Sequence, residues 1–417
     1  MRKTILIIGT FDTKQDELVF IQNVIEDFGG AVVTMDVGVL GDVDVPVTHD
    51  KHDVAAMAGT TIDEVTASGS EAQALKIMSR GAALLAARLH AGGRFDGMIA
   101  LGGTMGTDLA LDVSMALPLG VPKYIVSTVA FSALIPPERI APDVQMILWA
   151  GGLYGLNSIC RSVLSQAAGA VLGAARSATG VARDKPLIGV TSLGKSCLKY
   201  MEHLMPELER RGYEAAFFHS TGMGGRAFET LAGQGHFAAV LDFCLQEFGN
   251  GLQGSIIASG PDRLQSAGRA GVPQIVAPGT IDLIDIPTWQ PIPERFKDRP
   301  LHVHNKLISS LTLNAGERRH AARAIAARLN EAKGPTHIVL PLGGVQEWDR
   351  EGQFGHDRKA LDAFFDEIRG AIRLPVTLSE TPAHINDPAF CDAALAVFDD
   401  WVTKGLIPET SMTRMHT

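Results

Sequence analysis

The sequence predicts an α/β protein built from two Rossmann-like, doubly wound subdomains whose sheets are mostly parallel. Short apolar runs alternate with stretches of helical spacing along the chain, and this alternation restarts after residues 177–184. The string Gly-Val-Pro also introduces a strand-like run late in each half, at residues 120–122 and 271–273. We therefore expect subdomains at residues 1–183 and 184–417, with a ligand cleft between them or at the carboxyl ends of the strands.

In the first half, helices are expected where apolar residues recur at helical spacing and a glycine pair follows, as at residues 29–30 and 92–93. Strands are expected where a short apolar run lies between turn residues. The predicted order is strand 4–9, helix 15–28, strand 31–37, helix 70–91, strand 96–101, helix 109–117, strand 123–127, strand 144–148 and helix 156–175.

The second half begins with a similar series of elements. A strand at residues 185–192 resembles residues 3–10, and a helix at 204–212 is followed by a strand at 213–218. A further helix is expected to start near Glu229, and an apolar strand covers residues 238–242. The two halves therefore share a predicted fold, which is a safer inference than a shared function.

Composition excludes several classes of protein. The 417 residues carry a net charge of −9, which argues against a general nucleic-acid binder. Apolar runs are too short to span a membrane, and the charged start of the chain leads directly into a first strand rather than a signal peptide. The four cysteines are scattered without a CxxC pair. We expect a cytoplasmic protein, and a homo-oligomer.

The first candidate site is the glycine-rich turn after the strand at residues 96–101. Gly102, Gly103, Thr104, Gly106 and Thr107 lie between that strand and a helix, where free backbone N–H groups and the helix dipole favour an anion, most often a phosphate. The alternative is a tight turn that binds nothing. The next residue, an aspartate, suits a metal or a helix cap better than a bare phosphate.

A second group of candidates follows the first strand, at the same predicted edge of the sheet. Lys14 suits a phosphate, whereas Asp12 suits a magnesium-bound water or a ribose hydroxyl. An equally simple interpretation makes Asp12 a helix cap and leaves Lys14 in solvent. Ser127, at the end of a later strand, is a further candidate for this cleft.

Residues 189–196 match the phosphate-loop pattern GxxxxGK[ST], ending in Gly194, Lys195 and Ser196. A true phosphate loop needs a full strand before its first glycine, and only Leu187 and Ile188 are available after a proline. By analogy with the first half, the strand runs through the pattern instead. We therefore expect the match to be accidental.

Candidates for a small-anion site in the second half are glycines with a neighbouring arginine and polar groups at strand ends. A nest formed by Gly224 and Gly225, followed by the forked donor Arg226, suits a phosphate or carboxylate. Asp262 could hold a polar ligand, although pairing with Arg263 or capping of a helix is the commoner outcome. The alternative for the glycines is a flexible loop with a surface arginine.

Three histidines are candidates for a metal site or for catalysis, and ordinary packing is the alternative for each. Residues His302 and His304 are expected on one face of a strand and could bind a metal, but the sequence shows no third ligand. His384 is the residue of this half that best suits a general acid or base. Capping of the final helix by Asn386 or Asp387 is at least as well supported.

Six ordered motifs carry a family resemblance over nearly the whole chain. They are GTFDTK at 9–14, GGTMGT at 102–107, HSTGMGGR at 219–226, SGPDR at 259–263, HN at 304–305 and AHINDP at 383–388. The set resembles the ATP-binding family named after the N-terminal inhibitory domain of the tomato mosaic virus resistance protein, most of whose members are bacterial proteins of unassigned function.

The resemblance implies two Rossmann-like subdomains and a site for ATP with Mg²⁺. We place ATP in the first half and Mg²⁺ at Asp12. The cofactor-binding residues are then Gly9, Thr10, Asp12, Thr13, Lys14, Gly102, Gly103, Thr104, Gly106, Thr107 and Ser127. Plant and fungal relatives carry a second module resembling a TIM-barrel hydrolase. A separately encoded TIM-barrel enzyme is therefore a possible partner of this chain.

One segment departs from the family. Relatives tend to have a threonine-rich string ending in glutamate, whereas this chain has DFCLQE at 242–247. Glu247 is retained and Cys244 replaces a hydroxyl residue. A reactive thiol is one interpretation of Cys244, and a buried inert cysteine is the stronger one. The departure indicates altered specificity in the second half.

Three functions follow. The leading hypothesis is an enzyme that uses ATP and Mg²⁺ on a small anionic metabolite. Its catalytic residues would be His384, Glu247 and His304, and its substrate-binding residues Gly224, Gly225, Arg226, Asp262 and Asn305. The first alternative is a non-catalytic nucleotide-binding regulator of a partner protein. The second is a hydrolase or lyase with a vestigial nucleotide site.

Overall fold

The computed structural model describes residues 2–180 and 184–412. The chain divides into an N-terminal unit, Met1–Ala182, and a C-terminal unit, Arg183–Thr417. Residues 181–183, where the sequence places the domain boundary, lie outside the described residues. None of the described helices is long and apolar enough to cross a membrane.

The N-terminal unit is a five-stranded parallel sheet in the order β2-β1-β3-β4-β5. Its strands are β1 (Thr4–Gly9), β2 (Ala31–Asp36), β3 (Gly97–Gly102), β4 (Lys123–Ser127) and β5 (Val144–Leu148). Its helices are α1 (Phe11–Asp27), α2 (Lys51–Met57), α3 (Ile62–Thr66), α4 (Glu71–Ala91), α5 (Thr104–Ala116) and α6 (Ser158–Ser177). The predicted α/β architecture is confirmed in this unit.

Side chains of β1 alternate between two apolar cores, one on each face of the sheet. Leu6 and Ile8 belong to the core on one face, and Ile5 and Ile7 to the core on the other. A central parallel strand buried on both faces explains the uninterrupted apolar run that the sequence shows there.

The helices after β1 and β3 begin earlier than the sequence predicts. Helix α1 starts at Phe11 instead of residue 15, because the Phe11 N–H donates to the buried Asp36 carboxylate at 3.0 Å. Helix α5 starts at Thr104 instead of residue 109, with Gly103 as its N-cap. Both glycine- and threonine-containing motifs therefore enter the first turn of a helix directly.

The C-terminal unit is a six-stranded parallel sheet in the order β14-β13-β9-β8-β6-β7. Its strands are β6 (Leu187–Ser192), β7 (Glu214–His219), β8 (Ala239–Cys244), β9 (Gln274–Gly279), β13 (Thr336–Pro341) and β14 (Thr377–Thr381). Its helices are α7 (Tyr200–Arg210), α8 (Met223–Gly233), α9 (Gln246–Leu252), α10 (Ser266–Ala270), α11 (Ala315–Leu329), α12 (Arg358–Ala371) and α13 (Pro388–Thr403).

A small antiparallel sheet is inserted after β9. It pairs β10 (Leu283–Pro287), β12 (Ile308–Thr312) and β11 (His302–Val303). Without this insertion, the strands of the C-terminal unit follow the order 2-1-3-4-5-6 by their place in the unit, and those of the N-terminal unit follow 2-1-3-4-5. The similarity that the sequence predicts between the halves is therefore confirmed at the level of topology.

Candidate functional site

A cavity of about 340 Å³ opens at the carboxyl ends of β1 and β3 in the N-terminal unit. In this strand order the connections after β1 and β3 leave the sheet in opposite directions, and such a switch point is where doubly wound sheets bind ligands. Thr10, Asp12, Thr13 and Lys14 line this cavity together with residues 102–106. The predicted convergence of these two motifs at one edge of the sheet is thus confirmed.

The N-terminus of α5 faces this cavity. Gly103 has no side chain to cap the helix, and the first backbone hydrogen bond of the helix runs from Thr107 N to Gly103 O at 2.9 Å. The N–H groups of Thr104, Met105 and Gly106 therefore have no carbonyl of an earlier helical turn to bond with. A Cβ on Gly102 would lie 2.5 Å from Gly106 Cα, so the glycines allow strand and helix to touch.

Lys14 supplies the cation of the cavity. Its ammonium lies 4.8 Å from the centre of the Tyr154 ring, and its backbone departs from helical geometry with φ −132° and ψ 24°. Among residues 2–180 and 184–412, no carboxylate lies within ion-pair distance of Lys14. The positive charge is therefore available to an anionic ligand.

Asp12 lies beside Lys14 with one carboxylate oxygen engaged. Its Oδ2 accepts a hydrogen bond from Leu40 N at 2.8 Å, whereas its buried Oδ1 has no hydrogen-bond partner in the described structure. The N-cap of α1 is Thr10, so the alternative in which Asp12 caps the helix is wrong. A buried carboxylate oxygen without a donor suits a cation, a water or a hydroxyl group.

Asp36 organises this edge, and the sequence analysis missed it. It ends β2, is 1% exposed, and accepts hydrogen bonds from Phe11 N at 3.0 Å and Gly38 N at 2.9 Å. Burial raises the pKa of its carboxyl group above the ordinary value. The available signal was an acidic residue that closes an apolar strand, VTMD, since such a residue must find donors at the sheet edge.

The remaining wall of the cavity is apolar. It is formed by side chains from the loop after β2, from α4 and from α5, namely Val37, Val39, Leu40, Leu75, Met78 and Leu109. The exposed Glu71 also contributes. A cavity with a cationic, donor-rich end and an apolar wall can hold a molecule that is charged at one end and apolar at the other.

Three residues predicted for this site are used by the fold itself. The hydroxyl groups of Thr107 and Ser127 are buried and hydrogen-bonded to each other at 2.7 Å, joining α5 to β4. Gly9 lies under Leu18, whose methyl carbons would be 2.8 Å from a Cβ. None of the three lines the cavity. The neighbouring Asp108, considered as a metal ligand, instead pairs with Arg139.

The predicted anion site after β7 is occupied by the protein's own groups. Helix α8 begins at Met223, not near Glu229, and so includes Gly224 and Gly225 in its first turn. A Cβ on Gly224 would lie 1.8 Å from His219 O, so close packing explains that glycine. Gly224 and Gly225 therefore do not form the predicted open nest of N–H groups.

Arg226 and Asp262, both predicted to bind substrate, bind each other. The guanidinium donates to both carboxylate oxygens at 2.5 and 2.9 Å, and Arg226 is 6% exposed. Because Arg226 takes Asp262, the expected pairing of Asp262 with Arg263 is wrong. The forked donor predicted for an anion is already satisfied.

Glu247 lies in a buried cluster around Arg263. It is 1% exposed, accepts from Gly222 N at 2.8 Å and from Arg263 Nε at 2.9 Å, and its burial raises its pKa to about 7. Gly225 provides the space, since a Cβ there would lie 1.4 Å from Glu247 Oε1. Glu229 and Asp242 also pair with Arg263. The predicted catalytic carboxylate is thus part of an internal ion-pair cluster.

His384 is buried at 3% exposure, and both ring nitrogens are engaged. Its Nδ1 accepts from Asn386 N at 3.1 Å, so Nε2 carries the proton and donates to Gln346 O at 2.9 Å. Asp349 Oδ1 lies 3.2 Å from the same Nε2. The fold therefore uses the ring as a connector between two loops, and the general acid or base role predicted for it has no open access.

His304 and Asn305 lie in the exposed turn between β11 and β12. Strand β11 ends at Val303, so His304 lies just past the strand. The rings of His302 and His304 are nevertheless 6.5 Å apart between centres and both lie near Trp348, on one side as predicted. Asn305 Oδ1 accepts from Leu307 N at 2.7 Å and Ile308 N at 3.0 Å, which closes the hairpin. The amide predicted to bind substrate therefore has a turn-forming role.

The prediction that the first strand of this half runs through Gly189 to Thr191 is confirmed. Strand β6 runs through Gly189 to Ser192, and Leu193 then bridges to Cys197 before α7 begins at Tyr200. Lys195 is therefore not at the start of a helix, as a phosphate loop requires.

Cys244 is fully buried, as the stronger of its two interpretations predicts. Burial alone would raise the pKa of its thiol, but hydrogen bonds from Cys197, Thr280 and the backbone of Gln246 lower it below the ordinary value. Its Sγ lies 2.9 Å from Thr280 Oγ1.

Comparison with known proteins places both halves in one family. The N-terminal domain model of the uncharacterised protein family UPF0261 matches residues 3–180, and its C-terminal domain model matches residues 185–402. A UPF0261 protein of Brucella melitensis is 57% identical over 403 residues, which cover 97% of this chain and 96% of that protein. A UPF0261 protein of Clostridium tetani is 34% identical over 94% of this chain and 97% of that protein.

The resemblance to the tomato protein is also confirmed. The ToMV susceptible protein tm-1(GCR26) of Solanum lycopersicum is 28% identical over 94% of this chain, and the match covers 55% of the tomato protein. A putative UDP-N-acetylglucosamine 2-epimerase of Listeria monocytogenes is 10% identical over 66% of this chain and 79% of that chain, and its TM-score of 0.22 is too low to bear on function. The chain belongs to the uncharacterised protein family UPF0261 and carries both of its domains.

Proposed function

We propose that the N-terminal unit binds ATP together with Mg²⁺ in the cavity at the carboxyl ends of β1 and β3. The observation that carries this proposal is the convergence of Lys14, which has no ion-pair partner among the described residues, and the N-terminus of α5, which has no side-chain cap there, on one cavity. Backbone N–H groups, a helix dipole and a lysine are the usual ligands of a phosphate chain.

The negative charge of Asp12 is the reason for including Mg²⁺ with the nucleotide. Asp12 lies in the same wall as Lys14 and would repel a phosphate unless a cation or a hydroxyl group lay between them. Its unpartnered Oδ1 suits a water of a hydrated Mg²⁺ ion. No group of three or more metal-binding side chains occurs among the described residues, so most ligands of this ion would be phosphate oxygens and waters.

The apolar wall supports a nucleotide over a free phosphate. Val37, Val39 and Leu40 from the loop after β2 line the cavity together with Leu75, Met78 and Leu109 from α4 and α5. Burial of a base against such side chains adds a hydrophobic contribution to the electrostatic one. In this proposal the phosphate chain lies at the N-terminus of α5 and the base lies against the apolar side chains.

The C-terminal unit favours a regulatory role over catalysis on a metabolite. The residues proposed from sequence to handle the metabolite are tied into internal contacts, Arg226 with Asp262, Glu247 with Arg263, and His384 with Gln346. A nucleotide-binding regulator that acts through a partner protein needs none of them as catalysts. We therefore rank this second candidate above an ATP-dependent ligase or kinase.

Calorimetric titration of ATP with MgCl₂ tests the proposal, with Lys14→Ala as the main variant. Loss of a charge-assisted contact should weaken binding by about 10- to 100-fold. Lys195→Ala is the matched control because it removes a lysine that also follows the first strand of its unit. Equal affinity of wild type and Lys14→Ala, or a loss with Lys195→Ala alone, would overturn the assignment.

A further inference from the structure

A second cavity, of about 590 Å³, lies at the carboxyl end of β6 in the C-terminal unit. One wall is the β6–α7 loop, residues 193–199, with the start of α7. The other is the β13–α12 loop, residues 342–357. Lys195 follows the first strand of its unit, as Lys14 does in the other unit, and each lysine lines the cavity there. Each unit thus has a cavity lined by a lysine that follows its first strand, although the second wall follows β3 in the N-terminal unit and β13 in the C-terminal unit.

The two walls of this second cavity are fixed to each other by hydrogen bonds. Glu347 N donates to Ser196 O at 2.9 Å. Asn386, which is 6% exposed, donates its Nδ2 to Ser196 O at 3.0 Å and to Glu347 Oε2 at 3.2 Å. A buried amide that contacts both walls holds the cavity at a set width without a ligand.

The charges on the walls leave one cation unpaired. Lys199 and Arg350 pair with Glu347 at 2.9 and 3.2 Å, and Arg350 also pairs with Asp387 at 2.9 Å. Partial burial would raise the pKa of Glu347, but hydrogen bonds from these two cations lower it below its ordinary value. Lys195 has no carboxylate within ion-pair distance among the described residues.

Trp348 gives the cavity a flat apolar surface. Its ring is half-buried, and the ring of His302 lies 4.7 Å away between centres, which holds the indole in place. Leu198 and Met201 add aliphatic surface across the cavity. An ammonium and an indole that line one cavity can take the charged head and the planar body of one small molecule.

We propose that this cavity binds a small aromatic carboxylate, with the carboxylate at Lys195 and the ring against Trp348. The acid group must be single, because Glu202 also lines the cavity and would repel additional negative charge. The site is separate from the nucleotide cavity proposed for the other unit, and it does not require that nucleotide.

Benzoate is the probe for the test, and benzamide is its neutral counterpart of the same shape. Saturation-transfer NMR on the full chain should detect benzoate and not benzamide. Lys195→Ala should weaken benzoate binding by about tenfold or more, whereas Lys333→Ala, at an exposed position elsewhere in the unit, should leave it unchanged. Glu202→Gln should strengthen it, and Trp348→Leu should weaken it.

Lys14→Ala shows which unit binds benzoate. Because Lys14 lines only the cavity of the N-terminal unit, benzoate bound in the C-terminal unit should give the same signal with this variant as with wild type. Three results would overturn the proposal. They are no benzoate signal with the wild-type chain, equal signals for benzoate and benzamide, or equal affinity of Lys195→Ala and Lys333→Ala. Failure of ATP to bind would leave these readings unaffected, so the two proposals can fail independently.

Discussion

Arg263 and Asp242 form a forked ion pair in the interior of the C-terminal unit, with nitrogen–oxygen distances of 2.5 and 2.6 Å and with at most 2% of either residue exposed. Glu229 and Glu247 approach the same guanidinium. Three carboxylates thus depend on one cation. Because a buried charge without its partner is costly, this arginine should dominate the stability of the unit.

Replacing Arg263 with leucine should lower the free energy of unfolding by about 3–5 kcal/mol, since it leaves three buried carboxylates without their cation. Denaturant titration measures the change. Arg323→Leu is the matched control, because Arg323 pairs with Glu367 on the surface with 55% of its side chain exposed. Arg323→Leu should lower the free energy of unfolding by at most about 1 kcal/mol. Equal losses for both variants would contradict the central role of Arg263.

Glu247 should make stability depend on pH in a defined direction. Its pKa in the folded protein is raised by burial to about 7, above the ordinary 4.5, so the folded state binds this proton more tightly than the unfolded state. The resulting stability is complete below pH 4.5 and is lost as pH rises through 7. In Glu247→Gln the amide resembles the protonated acid, and this loss should disappear.

The measurement is the melting temperature of wild type, Glu247→Gln and Glu214→Gln across that pH window. The gap between Glu247→Gln and wild type should widen as pH rises from acidic to neutral. Glu214 is exposed at the start of β7, so its variant should follow the wild-type profile. A constant gap for Glu247→Gln would show that the carboxyl group does not titrate in this range.

Gly103 separates a nucleotide role from a structural one. A Cβ at this position would meet only Thr128 Oγ1, at 3.8 Å, which is ordinary contact. The fold should therefore accept Gly103→Ala and Gly103→Val with similar melting temperatures. The valine side chain would stand at the N-terminus of α5 and should weaken ATP binding by about tenfold or more. Normal ATP affinity in Gly103→Val would show that this turn does not hold the phosphates.

A substitution of Ser127 should have the opposite effects to Gly103→Val, because it should lower stability and leave ATP affinity nearly unchanged. Its Oγ shares the 2.7 Å hydrogen bond with Thr107 and accepts from Val129 N at 3.0 Å. Ser127→Ala removes the acceptor of the half-buried Val129 N–H and leaves the buried Thr107 hydroxyl only its 3.4 Å contact with Gly102 O. This change should cost about 1–3 kcal/mol of stability. ATP affinity of the folded variant should stay within about threefold of wild type, which is below 1 kcal/mol. A large loss of ATP affinity without a loss of stability would show that Ser127 contacts the nucleotide.

The sequence predicts strands and topology well because their signals are local. The predicted bounds of β4 and β5 match the structure, and the glycine pair after α4 lies where that helix ends. The convergence of residues 10–14 with 102–106 also follows from a general rule about parallel strands. These inferences need only the periodicity of apolar residues and the order of the elements.

The partners of charged residues could not be predicted in the same way. Arg226 pairs with Asp262, which is 36 positions away in the sequence, and Glu247 fits into its buried place because residue 225 on another helix is a glycine. Such pairings depend on how helices and loops pack over the sheet, which no local pattern encodes. The starts of α1 and α5 were misplaced for a related reason, since a carboxylate from β2 and a glycine N-cap fix them.

The contact between Gly102 and Gly106 has a consequence for association rates. The backbone of this turn packs directly against β3, and the Thr107 hydroxyl ties it to Ser127 of β4 at 2.7 Å, so we expect its donors to keep one orientation when a ligand binds. A ligand would then bind to a preformed site, and no ordering of the backbone would have to precede binding. Encounter should be limited by diffusion and steering of charge, and selectivity should appear mainly in how long the complex lasts.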